Sequence, residues 1–238
     1  MKVYRAASRE GAMRRAIQEL NVALKEAREV PTLLMLSGGS ALELLAGIDL
    51  RNIGRHITLT VLDERYSVDP AVNNFSQIAE TEFYKKAEKK GIDYIDTRVH
   101  YKITLKRLAN KFEKGLRKWR KRYPKKGKII ITQGIGANGH TAGIMPYPED
   151  RKKFERLFED EEKWVVGYNA TRKKSEYPLR ITVTFPFLRG QVDGSIVYAT
   201  GLKKRKALRK TLAKKGTLAQ TPARIIHEMR NVKLFTDV

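Results

Sequence analysis

The sequence predicts a doubly wound α/β fold, a mostly parallel sheet with helices on both faces. Short apolar runs typical of buried strands alternate along the chain with segments whose apolar residues recur at helical spacing. Three predicted strands run into polar, glycine-rich or charged loops, as expected where ligands bind beyond the carboxyl ends of parallel strands. The 238 residues, without internal repeats or a long linker, are expected to form a single domain over 1–238.

The first half of the chain alternates helices with two strands. Ser8 can cap the first helix, whose apolar residues recur at helical spacing up to Ala27, and Pro31 stops it. Both strands are runs of apolar and β-branched residues. In chain order the elements are a helix from Ser8 to Pro31, a strand over 32–36, a short helix over 41–46, a strand over 57–62, a helix over about 74–90, and a helix with the apolar stripe Leu105, Leu108, Phe112, Leu116 and Trp119.

The second half continues the alternation. A buried strand over 128–132 leads into a glycine-rich loop. The remaining elements, in chain order, are strands over 163–166, 179–184 and 195–199, helices over 203–214 and 222–229, and a short strand over 233–235. Crossover helices between parallel strands would cover both faces of the sheet.

The composition favours a cytoplasmic enzyme. The chain has no cysteine, which excludes disulfides and thiolate metal sites, and no apolar run approaches the roughly 18 residues of a membrane span. Its first residues lack the apolar core of a signal peptide. Lysine and arginine number 49 against 26 acidic residues, and the net charge of +23 attracts anions such as sugar phosphates or nucleic acid. Because the charge is spread along helices, as on solvated faces, a nucleic-acid partner stays open but is not favoured.

The most informative segment is the loop after the strand over 128–132, where three glycines, at 134, 136 and 139, precede His140. A histidine just beyond a buried strand lies at the carboxyl edge of a sheet. Its pKa near neutrality suits it to general base catalysis. The alternative is that the glycines only turn the chain and that His140 caps a helix.

A turn of sequence Ser37-Gly38-Gly39-Ser40 joins the first predicted strand to a helix. Its glycines let backbone N–H groups approach an anion, the helix N-terminus adds a partial positive charge, and two hydroxyls can donate hydrogen bonds. The turn therefore suits a phosphate monoester, although it is not a Walker loop because no Gly-Lys-Ser/Thr follows. The alternative is a turn in which glycine serves geometry alone.

Asp63, Glu64 and Arg65 end the second predicted strand. Three charges there are not expected to be buried without partners. The carboxylates are candidates to orient His140 or to hold sugar hydroxyls, and the planar fork of Arg65 suits an acidic group. A surface ion-pair cluster is the alternative.

Two further cations are suited to phosphate contact. Arg180 opens a predicted strand, and Lys204 lies at a strand-to-helix turn. In so basic a chain, any single lysine or arginine is more often merely solvated. Trp119 and Tyr123 lie among cations that would suit an RNA-stacking site, but the place of Trp119 in an apolar stripe favours core packing.

Two other classes of site are not favoured. The loop glycines match G-x-G-x-x-G, but Gly143 and Pro146 interrupt the long helix that a dinucleotide site requires. No spacing of histidines and acidic residues suggests a metal site. His56, His100 and His227 are therefore expected to be structural or surface residues.

The order of these motifs along the chain resembles that of one known family. The order is Ser37-Gly-Gly-Ser40, Asp63-Glu-Arg65, Asn74-Phe75, Gly134-x-Gly-x-x-Gly-His-Thr-Ala142, Arg180-Ile-Thr182 and Gly201-x-x-Lys204. It resembles the 6-phosphogluconolactonase branch of the 6-phosphogluconolactonase/glucosamine-6-phosphate deaminase family, from about residue 8 to residue 236. The resemblance implies the three-layer fold of sugar-phosphate isomerases and deaminases, as a single catalytic domain without metal or organic cofactor.

The resemblance also implies roles by position. The matched positions are a catalytic histidine at His140, phosphate-holding residues at 37–40, Arg180 and Lys204, and sugar-facing residues Arg65 and Asn74. Two departures stand out. Asn138 replaces the usual aspartate and so loses the charge that would raise the basicity of a nearby imidazole. Gly143-Ile-Met-Pro146 replaces Ser-Leu-Phe-Pro. Reduced activity or a changed substrate would follow.

The expected function is hydrolysis of 6-phosphoglucono-δ-lactone to 6-phosphogluconate in the pentose phosphate pathway. His140 would accept a proton from the attacking water and then protonate the ring oxygen. Backbone N–H groups of the loop that holds Gly136 and Gly139 would stabilise the oxyanion.

Two alternatives stay open. One is a deaminase or isomerase of amino-sugar phosphates in which Asp63 moves the C2 proton, although Met145 stands where that branch carries a glutamate. The other is a catalytically reduced RNA- or anion-binding protein. The oligomeric state, monomer or dimer, is also open.

Overall fold

The computed structural model describes residues 1–100 and 102–238. The strands in that part of the chain are β1 (Lys2–Arg5), β2 (Thr32–Leu36), β3 (Ile57–Val61), β4 (Asp63–Arg65), β5 (Asp93–Tyr94), β6 (Lys128–Gly134), β7 (Val165–Asn169), β8 (Leu179–Val183), β9 (Gly194–Tyr198) and β10 (Val232–Thr236). Seven of them form a parallel sheet in the order β1-β10-β9-β6-β2-β3-β5. The predicted α/β fold with a mostly parallel sheet is thus confirmed.

Helices cover both faces of this sheet. The α-helices are α1 (Arg9–Glu26), α2 (Asn74–Ala79), α3 (Glu82–Glu88), α4 (Leu105–Arg122), α5 (Arg151–Phe158), α6 (Phe185–Gln191) and α7 (Arg205–Leu212). The 3-10 helices are Gly39–Gly47, Leu50–Asn52, Leu202–Lys204 and Pro222–His227. None of the helices in the described residues is both long and apolar enough to cross a membrane.

Alternate strand residues enter two separate hydrophobic layers, as the period of two in a strand requires. Leu34 and Leu36 of β2 pack in the layer under α1, α2 and α3. Leu33 and Met35 pack in the layer under α4, α5, α6 and α7. Helix α4 contributes its predicted apolar stripe to the second layer. Trp119 is buried there and donates its indole N–H to Thr58 Oγ1 (3.1 Å), so core packing is the correct interpretation.

The chain reverses its direction of progress across the sheet between β2 and β6. From β2 the chain adds β3 and β5 on one side, and then returns to place β6 on the other. The loops that follow β2 and β6 therefore diverge and leave a crevice at the carboxyl edge, where ligands bind in doubly wound sheets.

Several sequence expectations need correction. Residues 63–65, expected as the charged loop after the strand over 57–62, form a strand of their own. The strands predicted over 163–166 and 179–184 do not join the parallel sheet. These segments form a small antiparallel sheet in the order β4-β8-β7. The single helix predicted over 74–90 is broken in two, because Thr81 Oγ1 caps a new helix by accepting from Tyr84 N–H (3.2 Å). The helices predicted over 41–46 and 222–229 are 3-10 helices.

Strands β1 and β5 and helices α5 and α6 were not predicted. Strand β1 is a sheet edge with exposed and half-buried residues, so it shows no continuous apolar run. Strand β5 has only two residues, both exposed. Helix α6 begins at the Thr184 cap and carries Pro186 in its first turn, a proline position that helices favour.

Candidate active site

A cavity of about 230 Å³ opens at the carboxyl ends of the parallel strands. The turn after β2, strand β4, the loop after β6, strand β8 and the segment after β9 all contribute to its walls. Eleven of the thirteen site residues expected from the sequence line it: Ser37, Gly38, Gly39, Ser40, Asp63, Arg65, Asn74, Gly136, His140, Arg180 and Lys204. The other two, Asn138 and Gly139, belong to the loop after β6 and support its shape.

A larger groove of about 600 Å³ lies at the opposite edge of the sheet, where Lys128, Gly194 and Val232 begin their strands. None of the thirteen expected residues lies in it. The smaller cavity is therefore the candidate site, because it gathers the glycine-rich turns and the titratable side chains together.

His140 lies half-buried on the cavity wall, with its imidazole held by Asn138. Asn138 Oδ1 accepts a hydrogen bond from the backbone N–H of His140 (3.1 Å) and lies 2.6 Å from Nδ1. Because an amide oxygen can only accept, Nδ1 carries the proton in this pair. Nε2 is then the ring nitrogen that keeps a free lone pair. The expectation that carboxylates of β4 orient the ring is wrong, because Asn138 does so.

The surroundings of His140 keep its ring neutral. Burial, followed by the positive charges of Arg180, Lys204 and Arg65, lowers the pKa of His140 to about 4. The imidazole is therefore a free base at neutral pH. Since Asn138 is uncharged, it does not raise this pKa as an aspartate would. An anion bound among the three cations would offset their charge and raise it.

The glycines after β6 make room for the ring. The Gly136 N–H donates to the His140 carbonyl and the Gly139 N–H to the Gly136 carbonyl, both at 2.9 Å. A Cβ on Gly136 would lie 2.1 Å from Cε1 of His140, so only glycine fits there. Both amides are engaged within the loop, so neither of these two is free to meet an oxyanion.

A buried polar network fixes the same loop from behind. The Thr141 hydroxyl donates to the Gly134 carbonyl (2.8 Å) and accepts from Gln133 Nε2 (3.0 Å). The Ser195 hydroxyl donates to Gln133 Oε1 (2.8 Å). Because each partner is satisfied, the network holds the loop rigidly and so positions His140.

The small antiparallel sheet brings two arginines together at the cavity. Arg65 lies directly opposite Arg180 in the register of β4 and β8. Opposite residues share one face of a sheet, so both side chains lie on the side of the cavity, where the Arg65 guanidinium carbon is 5.3 Å from the centre of the Tyr177 ring. Arg180 is buried and donates from Nε to the Tyr177 carbonyl and from Nη2 to Ser175 Oγ, both at 2.8 Å. Nη1 remains directed to Asp63.

Asp63 supplies one carboxylate beside these two cations. Its Oδ2 lies 3.7 Å from Arg180 Nη1. Burial raises the pKa of Asp63, and the charges of Arg180 and Arg65 oppose that rise. The carboxyl group lies against Gly143, where a Cβ would come within 2.6 Å of Oδ2 and where φ is +68°. Gly143 is therefore required both by its backbone conformation and by Asp63.

Glu64 turns away from the cavity and has a structural role. Its carboxylate accepts from the backbone N–H groups of Asn74 (2.5 Å), Phe75 (3.0 Å) and Arg65 (2.8 Å), and from the Thr97 hydroxyl (2.8 Å). Burial raises the pKa of Glu64 to about 8, while the four donors favour the charged form. Glu64 thus anchors the start of α2.

The start of α2 places Asn74 at the cavity wall. Asn74 Nδ2 donates to the Asp63 carbonyl (2.8 Å), and Gly38 leaves the space in which the amide lies. Asn74 Oδ1 is buried and has no hydrogen-bond partner among the residues that the structure describes. The site therefore holds an acceptor suited to a ligand hydroxyl.

Lys204 and the turn after β2 form a second part of the wall. Lys204 Nζ donates to Ser40 Oγ (2.9 Å), and burial lowers the pKa of Lys204. The turn leads into the 3-10 helix Gly39–Gly47, whose cap at Gly38 makes no side-chain hydrogen bond. Hydroxyl, ammonium and free N–H groups at one place suit a phosphate.

Four other residues complete the lining and were not expected as site residues: Gly134, Ile135, Ala142 and Gly143. In the sequence, Gly143 serves only to exclude a long helix after the loop and is not expected to line the site. Its contact with Asp63 joins segments far apart in the chain, and no local pattern signals it.

Comparisons with known proteins assign the chain to a family. Residues 5–235 match the model of a family described as glucosamine-6-phosphate isomerases/6-phosphogluconolactonase. A search of curated proteins found no match.

Several solved structures share the fold. The 6-phosphogluconolactonase of Trypanosoma brucei superimposes with a TM-score of 0.75 at 18% identity, covering 99% of this chain and 95% of that chain. The Leishmania guyanensis enzyme gives 0.72 at 21% identity, with coverage of 99% and 95%. A monomeric glucosamine-6-phosphate deaminase gives 0.70 at 18% identity, with coverage of 99% and 97%. At these identities the likeness establishes a common fold.

Proposed function

The chain belongs to the glucosamine-6-phosphate isomerase/6-phosphogluconolactonase family, and we propose that it hydrolyses 6-phosphoglucono-δ-lactone to 6-phosphogluconate. The observation that carries the proposal is the pairing of His140 with Asn138 at a cavity lined by three cations. That arrangement offers a neutral base beside a seat for an anionic substrate. Residues 1–238 would act as one catalytic domain.

The cations and the turn after β2 account for substrate binding. The phosphate would dock on Ser40, Lys204 and the free N–H groups at the start of the 3-10 helix, with Arg180 adding charge. Asn74 Oδ1 would accept from a sugar hydroxyl. Such contacts fix the ring of the lactone relative to His140 and reduce the entropy lost on reaching the transition state.

The proposed reaction needs one proton carrier. Nε2 of His140 accepts a proton as water attacks the C1 carbonyl carbon. The bond between C1 and the ring oxygen then breaks, and His140 returns the proton to that oxygen. Because the amides of Gly136 and Gly139 are engaged, the guanidinium group of Arg65, which lines the cavity, is assigned the developing oxyanion.

Stopped-flow hydrolysis of freshly generated 6-phosphogluconolactone tests the proposal directly, with the spontaneous rate subtracted. We expect turnover well above the spontaneous rate, and much slower turnover of unphosphorylated gluconolactone, which cannot use the phosphate contacts. Absence of any rate above background with the phosphorylated lactone would exclude the assignment.

A second candidate function has one observation in its favour. Asp63 is a buried carboxyl group in the same cavity, and burial raises its pKa, which favours the protonated form. A deaminase of amino-sugar phosphates needs such a group to move the C2 proton. Release of ammonia from glucosamine 6-phosphate, measured on the same preparation, would favour this candidate over the lactonase.

A further inference from the structure

Two helices of equal length cover opposite faces of the sheet, yet they differ greatly in charge. Helices α1 and α4 each have 18 residues. Helix α1 carries four basic and three acidic residues, whereas α4 carries nine basic and one acidic. A general excess of basic residues along the chain would raise the charge of both helices. The acidic residues that balance α1 are thus nearly absent from α4, as they are from the shorter helix α7, which carries four basic residues and no acidic one.

The exposed surface of α4 and the turn after it consists almost wholly of cations. Only Asn110 and Pro124 interrupt it among the exposed positions from 106 to 126. We call the remaining exposed residues the α4 face: Lys106, Arg107, Lys111, Lys114, Arg117, Lys118, Lys121, Arg122, Lys125 and Lys126.

The α4 face has little internal compensation. The one acidic residue of α4, Glu113, is half-buried and pairs with Arg117 at 2.7 Å. No other residue of the α4 face forms an ion pair within the described parts of the chain. Like charges three and four positions apart destabilise a helix. Helix α4 is held instead by its buried stripe, which includes Phe112 and Trp119.

The spacing of these cations suits a linear array of phosphates. Lys111, Lys114 and Lys118 recur at helical spacing on the side away from the core. At about 1.5 Å per residue, the cations from Arg107 to Arg122 extend over roughly 22 Å. A nucleic-acid duplex presents about one charge per 1.7 Å of its axis.

The chemistry of the α4 face favours a duplex over two other polyanions. Single strands bind through aromatic side chains on which bases stack, and membrane surfaces through apolar side chains that insert. The exposed large hydrophobic residues among those described are Met1, Val22, Val68, Tyr94 and Leu202, and none lies between 106 and 126, where Tyr123 is half-buried with the Arg122 guanidinium over its ring. Recognition by cations alone fits the regular backbone of a duplex.

We propose that the α4 face binds the phosphate backbone of a nucleic-acid duplex without sequence preference. None of its residues lines the cavity of the candidate active site, so duplex binding and turnover are separate properties. This inference stands independently of the proposed lactonase activity.

Fluorescence anisotropy with a labelled 20-base-pair RNA duplex, over a series of salt concentrations, tests the proposal. The test variant combines Lys111→Gln, Lys114→Gln and Lys118→Gln, at exposed positions where glutamine has nearly the helix propensity of lysine. Removing one lysine that neutralises a phosphate reduces the salt slope by about one. We expect the slope of log K against log salt to fall by about three.

A matched control separates the α4 face from net charge. Arg14→Gln, Arg15→Gln and Lys25→Gln remove the same three charges from exposed positions of α1. The control should retain the wild-type slope, and a Lys→Arg triple variant at the three α4 positions should also bind as the wild type does. Circular dichroism checks that each variant keeps its helices.

Three outcomes would overturn the proposal. An equal fall in slope in the test and control variants would assign binding to net charge alone. Tighter binding of a single strand of the same length would assign another kind of nucleic-acid site. Binding of vesicles rich in anionic lipid, without binding of the duplex, would assign a membrane surface.

Discussion

The two parts of the candidate active-site wall are built in different ways. The imidazole and its partner come from one loop, because Asn138 and His140 are two residues apart. The contact between Lys204 and Ser40 joins residues 164 positions apart. A base and its orienting group can thus come from a few neighbouring residues. An anion-binding site, in contrast, requires the fold to bring distant parts of the chain together.

This difference separates chemistry from binding. Changes in the loop that carries His140 should act on kcat, because they alter the base itself. Changes at Lys204 should act on KM, because that contact serves the bound substrate before and during the reaction. The four predictions below test this separation.

The largest effect is expected from removal of the base. His140→Ala should lower kcat by at least about 100-fold, the lower range of general acid–base catalysis, with little change in KM. Steady-state kinetics with the phosphorylated lactone measure both constants. His100→Ala, at an exposed residue that pairs with Asp96, is the control and should behave as the wild type. Turnover like that of the wild type in His140→Ala would end the general-base assignment.

The next effect is expected from displacement of the base without removing it. Gly136→Ala places a methyl group where the imidazole lies, so the ring must move. A shift of about 1 Å can reduce the rate by up to about 100-fold, and we expect kcat to fall by roughly 10- to 100-fold.

Gly190→Ala is the matched control, because a Cβ at Gly190 meets nothing within 4 Å. It should leave kcat unchanged. If both alanine variants turn over equally, the close contact of Gly136 with the ring does not matter for catalysis.

A smaller effect, a rise in KM, is expected from substitution of Lys204. Lys204→Gln should raise KM about tenfold, the value of one hydrogen bond to a charged group, while kcat stays within a few-fold. Lys203→Gln removes the same charge from the exposed neighbouring residue and should change neither constant. A large fall in kcat with normal KM in Lys204→Gln would contradict the separation of the two parts.

The smallest effect is a shift in pH dependence. In the proposed reaction the neutral form of His140 is the base, so activity should fall as pH falls through its pKa, about 4 in the free enzyme. Asn138→Asp adds a negative charge beside Nδ1 and favours the protonated form, which should move the acid limb of kcat/KM upward by about one unit.

A bound phosphate should also raise the pKa of His140, as the aspartate of Asn138→Asp should. The acid limb of kcat in the wild type is therefore expected at higher pH than that of kcat/KM, because substrate offsets the nearby cations. Measurements of kcat and kcat/KM between about pH 3.5 and 8, for the wild type and for Asn138→Asp, test both shifts of the acid limb. An unchanged limb in Asn138→Asp would show that residue 138 does not act on the imidazole.

Much of the fold and the neighbourhood of His140 followed from local patterns. Apolar runs gave the central strands, and the glycines before His140 indicated a loop at the carboxyl edge. The antiparallel pairing of β4 with β8 was not predictable, because a strand of three residues, all of them charged, has no apolar signature. That pairing decides that Asp63 faces the cavity and that Glu64 turns away from it.

Two other features lay beyond local patterns. Asn138 is a short polar residue in a loop, and its hydrogen bond to the ring depends on how tightly the glycines fold. The net charge was interpreted as a feature spread along helices, but the length of the cationic surface on α4 emerges only when exposed positions are compared helix by helix. Both the hydrogen bond of Asn138 and the cationic surface of α4 depend on where side chains point, and composition does not contain that information.

The register that places Arg65 opposite Arg180 has a thermodynamic consequence. Like charges opposite each other in a sheet oppose its formation, and the Asp63 carboxylate offsets only part of the charge of the two arginines. An anion seated there relieves the repulsion in the folded state and has no such site in the unfolded chain. Ligand occupancy and resistance to heat are thus linked, and the melting temperature of this protein should rise with the concentration of its phosphorylated product.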